Sequence, residues 1–179
     1  MLQINEKTSK ISDIEFVNSP NFDDRPKTVS IDTIVIHCIS LPEGEYNNNH
    51  VIDFFQNKLD ISIDDSFKSL ENFKVSTHLF IRRSGQIIQM VPFNKRAWHA
   101  GKSSYNGRNN FNDFSIGIEL EGTIHSKYSN DQYQSLNDVI VSLKALYTDI
   151  IDDNILGHCD IAPDRKTDPG EFFDWGKIK

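Results

Sequence analysis

Hydrophobic and polar positions along this chain fall into blocks with different periods. TIVIHCIS (33–40) is a β-branched apolar run bounded by Pro42 and Gly44, which predicts a buried strand. HVIDFFQNKLD (50–60) places Val51, Phe54, Phe55 and Leu59 on one face at helical spacing. STHLFIRRSGQIIQMVP (76–92) is two apolar runs joined around Ser84-Gly85, the pattern of a hairpin. SIGIELEG (115–122) alternates strictly: Ile116, Ile118 and Leu120 share one face, Gly117, Glu119 and Glu121 the other. Gly117 would leave open space beside the Glu119 carboxylate, and Glu121 is the better candidate for an exposed strand glutamate. Residues 129–150 predict the longest helix, with Ser129 and Gln132 as a capping box and Tyr133, Leu136, Ile140, Leu143 and Tyr147 as its apolar stripe.

The order is strand, helix, hairpin, strand, long helix and a charged loop. It predicts an α/β (α+β) fold, a single domain over 1–179 with a mixed central β-sheet flanked by helices. Residues 1–30 are polar and punctuated by Pro20 and Pro26, so they read as an arm wrapped on that domain. The stretch FNKRAWHAGKSSYNGRNNFND (93–113) is long, rich in Asn, Gly and Ser, and carries a Trp and a His, which predicts a functional loop.

Composition narrows the partners. A chain of 179 residues, 37% hydrophobic and 25% charged, can bury a core without disulfides. Its net charge of -7 repels phosphate backbones and anionic lipid, which argues against nucleic acid and membrane as general partners. The first residues carry acidic groups and no apolar leader, and no stretch is long enough to span a bilayer, so the expected compartment is the cytoplasm. No feature marks an obligate protein partner. Cys38 and Cys159 each follow a histidine and read as small, mostly buried side chains rather than a disulfide.

The segment GHCDIAPDRKTDPG (157–170) concentrates His158, Lys166 and Asp168 among turn formers. Taken singly, His37 is a core histidine, His158 and Asp168 are turn caps, and Glu119 is a strand glutamate. Together they suit one site. Two imidazoles and a carboxylate are a three-ligand set for catalytic zinc, which lowers the pKa of water from about 15.7 to about 7. A carboxylate that is not a ligand then serves as general base, and the Lys166 ammonium can face an oxyanion. These are the parts for hydrolysing an amide. No HExxH helix and no CxxC pair is present. A glycosidase built on Glu119 and Glu121 leaves both histidines without a task, and nothing marks either cysteine as an activated thiolate.

IHCISLPEG (36–44), VSTHLFIRRSGQIIQMVPFNKRAWHAGKSSY (75–105), NDFSIGIELEG (112–122) and GHCDIAPDRKTDPG (157–170) resemble the AmpD-type N-acetylmuramoyl-L-alanine amidases. Those belong to the zinc amidase superfamily, with T7-type lysozyme and the peptidoglycan recognition proteins. The resemblance runs from about residue 17 to 175 in family order. It implies that His37, His158 and Asp168 bind Zn2+, that Glu119 is the base and that Lys166 steadies the oxyanion. It further implies a muropeptide substrate, cut between the lactyl group of (1,6-anhydro-)N-acetylmuramic acid and L-alanine, in cytosolic peptidoglycan recycling. Trp98, with His99, resembles a platform for the sugar, and His78 resembles pocket lining. The chain departs from the family pattern at Cys38, where relatives have Asn, and at Lys74 and Asn110, where relatives have arginines for the peptide carboxylates. Arg165 remains as a carboxylate anchor. Two other classes stay open: a muropeptide-binding module of the same fold, and an amidase acting on intact wall.

Overall fold

The computed structural model describes residues 1–178. Its main sheet has six strands: β1 (Glu15–Phe16), β2 (Thr33–Ile39), β3 (Leu79–Ile81), β4 (Ile87–Gln89), β5 (Ser115–Glu121) and β6 (Ile155–Gly157). The spatial order is β6-β2-β5-β3-β4-β1. β6, β2, β5 and β3 run parallel, β4 returns antiparallel as the hairpin partner of β3, and β1 lies parallel on its far edge. The sheet is therefore mixed, as the order of elements predicts.

Alternation in the strands divides the core into two faces. Ile34 and Ile36 of β2, Leu79 and Ile81 of β3, and Ile116, Ile118 and Leu120 of β5 pack on the long helix α2 (Asn130–Leu146). Phe80 and Ile88 point the other way, onto Val51, Phe54 and Phe55 of the short helix α1 (His50–Phe55). His37, Gly117 and Glu119 have the parity of this second face. α2 begins with the expected capping box: Gln132 N–H donates to Ser129 Oγ (3.0 Å) and Ser129 N–H to Gln132 Oε1 (3.1 Å). Tyr133, Leu136, Ile140 and Leu143 are buried along it.

Several boundaries differ from the sequence expectation. α1 ends at Phe55 instead of running to 60, because Asn57 adopts φ +59°, which ends a helix; Leu59 packs on the same cluster from outside it. α2 ends at Leu146, and Tyr147 caps it. Residues 1–30 supply β1 and a three-residue strand, Phe22–Asp24, paired with Lys95–Ala97. The arm also inserts the half-buried Arg25, whose guanidinium donates to the carbonyls of Phe93, Asn112, Asp113 and Ser115. Burial lowers the Arg25 pKa to about 10, still well protonated. The stretch 93–113 is ordered by such contacts. Arg96 pairs with Asp23 and Asp113 at 2.6 Å, and the Asn112 side-chain oxygen accepts from the His99 and Ala100 N–H groups.

Candidate active site

The site stands at the carboxyl ends of the parallel strands, where open sheets of this kind offer a crevice. β2 and β5 are adjacent in a register that sets His37 beside Glu119. β6 lies on the other side of β2, and immediately after Gly157 the chain turns into a one-turn helix, α3 (His158–Ile161). His158 is thus delivered next to His37. The following loop is tied back by the Cys159 N–H, which donates to the Asp168 carbonyl at 2.9 Å and presents that carboxylate to both rings.

Three atoms converge there. His37 Nδ1 and His158 Nδ1 are 2.9 Å apart, and Asp168 Oδ2 is 3.2 Å from the first and 3.1 Å from the second. His158 Nε2 lies 3.3 Å from the Ala100 carbonyl, which can only accept, so the ring's proton sits on Nε2 and its Nδ1 is bare. Tetrahedral zinc with bonds of about 2.0–2.1 Å sets its donor atoms about 3.3 Å apart. The observed triangle and its donor set fit that ion. Burial, with His158 beside it, pulls His37 down to about 4, so this imidazole is neutral as a ligand must be. Burial alone would raise the Asp168 carboxyl, but the His158 and His37 rings beside it outweigh burial and hold the group well below the usual carboxylate range.

Glu119 is the remaining acid. Its Oε2 is buried and has no hydrogen-bond partner. A buried polar atom of that kind is rare in folded proteins and marks a group kept free for a ligand or a proton. Burial first, then the Asp168 charge, raise its pKa well above the ordinary value, while Lys166 pulls the other way. Glu119, His158 and Asp168 open into a cleft of about 780 Å³ that Lys166 also lines.

Residues 26–171 match the family model described as N-acetylmuramoyl-L-alanine amidase. The chain belongs to the N-acetylmuramoyl-L-alanine amidase family. This amidase is 47% identical over 165 residues to the 1,6-anhydro-N-acetylmuramyl-L-alanine amidase AmpD of Haemophilus influenzae, spanning 92% of this chain and 90% of that one. The crystal structure of a selenomethionine derivative of AmpD superposes with a TM-score of 0.95 at 44% identity, covering 99% of this chain and 97% of the other. A third similarity is to Escherichia coli AmiD in complex with anhydro-N-acetylmuramic acid-L-Ala-D-gamma-Glu-L-Lys, with a TM-score of 0.61 at 26% identity over 88% of this chain and 64% of that one.

In this amidase the other candidates fall on both sides of expectation. Trp98, His99, Lys74 and Arg165 line the cleft. His78 does not: it is fully buried, with its Nδ1 accepting from the Gly117 N–H (3.0 Å) and its Nε2 3.0 Å from the Lys95 carbonyl, so it braces β5 from beneath instead of lining the pocket. Arg165 is also more occupied than an anchor should be, since its Nε and Nη2 donate to the Lys102 carbonyl and Nη2 also to that of Ala100. Only Nη1 is left to meet a carboxylate. Glu121 is buried, accepting from the Asn47 and Arg83 N–H groups (3.0 and 2.8 Å), which corrects its expected exposure. Sequence reasoning missed Phe73, whose large side chain is 59% exposed on the cleft wall. The signal was present, an aromatic stranded in the polar run ENFK.

The space at Gly117 is not open either. A Cβ there would stand 2.4 Å from the His99 ring, which lies flat against the glycine. Gly117→Ala is therefore expected to cost about 1–3 kcal/mol of stability and to loosen metal binding by displacing that ring. Chemical denaturation alongside a zinc titration checks it, and a parent-like midpoint would show that the contact relaxes freely.

Proposed function

We propose that this chain is a zinc-dependent amidase that releases the peptide from 1,6-anhydro-N-acetylmuramyl peptides, cutting between the lactyl group and L-alanine. Residues 1–179 act as one amidase domain. One observation carries the reading: the triangle of His37, His158 and Asp168 stands beside the partnerless carboxylate oxygen of Glu119 at the floor of a cleft. The names of the relatives supply the substrate class, AmpD by its own and AmiD by the anhydromuramyl tripeptide in its structure. Cytoplasmic recycling of wall fragments is the role that follows from the AmpD likeness. Among the described residues no helix is long and apolar enough to cross a membrane.

His37, His158 and Asp168 would hold the ion, which when bound makes water acidic enough to attack at neutral pH and polarises the scissile carbonyl. Glu119 takes the attacking water's proton and returns it to the departing amine of L-alanine. Burial and Asp168 raise its pKa, which makes it a stronger base than a solvated glutamate, while Lys166 pulls the other way. The Lys166 ammonium, half-buried in the same cleft, faces the negative charge that develops on the carbonyl oxygen. Trp98 offers a flat face to the sugar, Phe73 adds apolar wall, and Lys74 with Arg165 Nη1 supplies positive charge for the carboxylates of the peptide.

Incubation with anhydromuramyl tripeptide is expected to give free tripeptide and anhydromuramic acid by mass spectrometry. Cleavage should stop with a chelator and return with added zinc. Intact substrate in a sample shown to contain zinc would favour a binding module, and cleavage of intact wall fragments alone would favour a wall-lysing amidase.

A further inference from the structure

His37 Nδ1 can serve as a ligand atom only when the ring keeps its single proton on Nε2. The hydrogen bonds behind the ring dictate that choice, beginning at the carbonyl of Phe111, which can only accept. Ser115 Oγ donates its one proton to that carbonyl. The same hydroxyl lies 3.2 Å from His99 Nε2, and with its proton already committed it must accept from that nitrogen. A neutral His99 with its proton on Nε2 presents a bare Nδ1. That bare nitrogen is 3.0 Å from His37 Nε2 and accepts its proton. His37 Nδ1 is then left bare towards His158 Nδ1 and Asp168.

The relay is built to be rigid. Ser115 is fully buried, and its carbonyl is held by Arg25 Nη2 at 2.8 Å. His99 is 8% exposed and rests on Gly117, the one residue type that leaves room for its ring. At the other ligand the Ala100 carbonyl does the same work in a single step. With both rings so fixed, two lone pairs and a carboxylate face one another at 2.9–3.2 Å, an arrangement that favours a cation between them.

We propose that Ser115 and His99 are positioning residues: they lock His37 in the Nε2-protonated tautomer and thereby set how tightly the site holds a divalent cation. The proposal rests on the zinc reading given above. Without the Ser115 hydroxyl, His99 can carry its proton on Nδ1 and oppose the proton of His37. His37 then moves its own proton to Nδ1, where it bonds to Asp168 and has to be removed before the ion enters.

The test compares the parent and Ser115→Ala, each titrated with zinc against a chromophoric chelator, with histidine ¹⁵N NMR of the parent alongside. Ser115→Ala is expected to hold zinc about 10- to 100-fold more weakly, the usual effect of removing a group that orients a ligand. The parent spectrum should show His99 protonated on Nε2 and bare on Nδ1. A parent that binds no zinc removes the metal reading itself. A parent that binds zinc no more tightly than Ser115→Ala removes the relay alone. Should the variant fail to fold, the parent spectrum decides by itself: a His99 proton on Nδ1 overturns the proposal, and one on Nε2 with a bare Nδ1 bears it out.

Discussion

Glu119→Gln is expected to keep its zinc and to lose about 10²- to 10⁴-fold in kcat, the range attributed to a positioned general base. The substitution keeps the length and shape of the side chain and removes only its ability to take a proton. Three features make the prediction sharp. The Oε2 atom has no protein partner, so the amide breaks no hydrogen bond there. Glu119 stands beside His37 in the sheet register but lies outside the triangle of ligand atoms, so the metal should be unaffected. Burial and the nearby Asp168 both disfavour a charge on Glu119, so a neutral amide should leave folding stability unchanged or slightly raised. The measurement is tripeptide release under saturating substrate, with metal content and thermal midpoint taken on the same preparation. Parent-like turnover in a metal-replete variant would remove Glu119 from the chemistry and shift attention to Lys166.

How much of this was legible in the sequence depends on what each pattern encodes. β5 and α2 were readable because seven or more residues keep one period, β2 because its apolar run is unbroken and β-branched, and the alternation in β5 correctly put Glu119 opposite the face that packs on α2. Alternation gives direction and says nothing of cover. Glu121 shares the direction of Glu119, yet the backbones of Asn47 and Arg83 close over it, and neither is near it in sequence. β1 and β6 have two and three residues, too short for a period to declare itself. β6 is the element that brings His158 to His37, so the chemistry of the donor set pointed to a shared site before any pattern could have shown the meeting. His78 and His99 illustrate the same limit. Both are buried imidazoles near Gly117, and only the three-dimensional packing shows that one braces the strand while the other contacts His37.

Asp168→Ala is expected to weaken zinc binding by more than the roughly 100-fold upper figure for groups that merely orient a ligand. Asp168 Oδ2 is the only anionic atom in the triangle, 3.2 Å from His37 Nδ1 and 3.1 Å from His158 Nδ1. It is also held by backbone independent of its side chain, since Cys159 N–H bonds its carbonyl, so truncation should not unravel the loop. What remains are two neutral imidazoles, a pair that binds a dication without neutralising any of its charge. Dialysis against a mild chelator followed by metal analysis checks the outcome: the parent should retain close to one zinc per chain and the variant almost none. Retention by the variant would call for another third ligand, and Cys159 is the nearest thiol to His158 in the chain. Its thiol is an unpromising substitute, because burial and the neighbouring Asp160 raise its pKa and disfavour the thiolate that zinc requires. A double variant, Asp168→Ala with Cys159→Ser, separates the two. If it loses the ion where the single variant kept it, the thiol had taken the carboxylate's place.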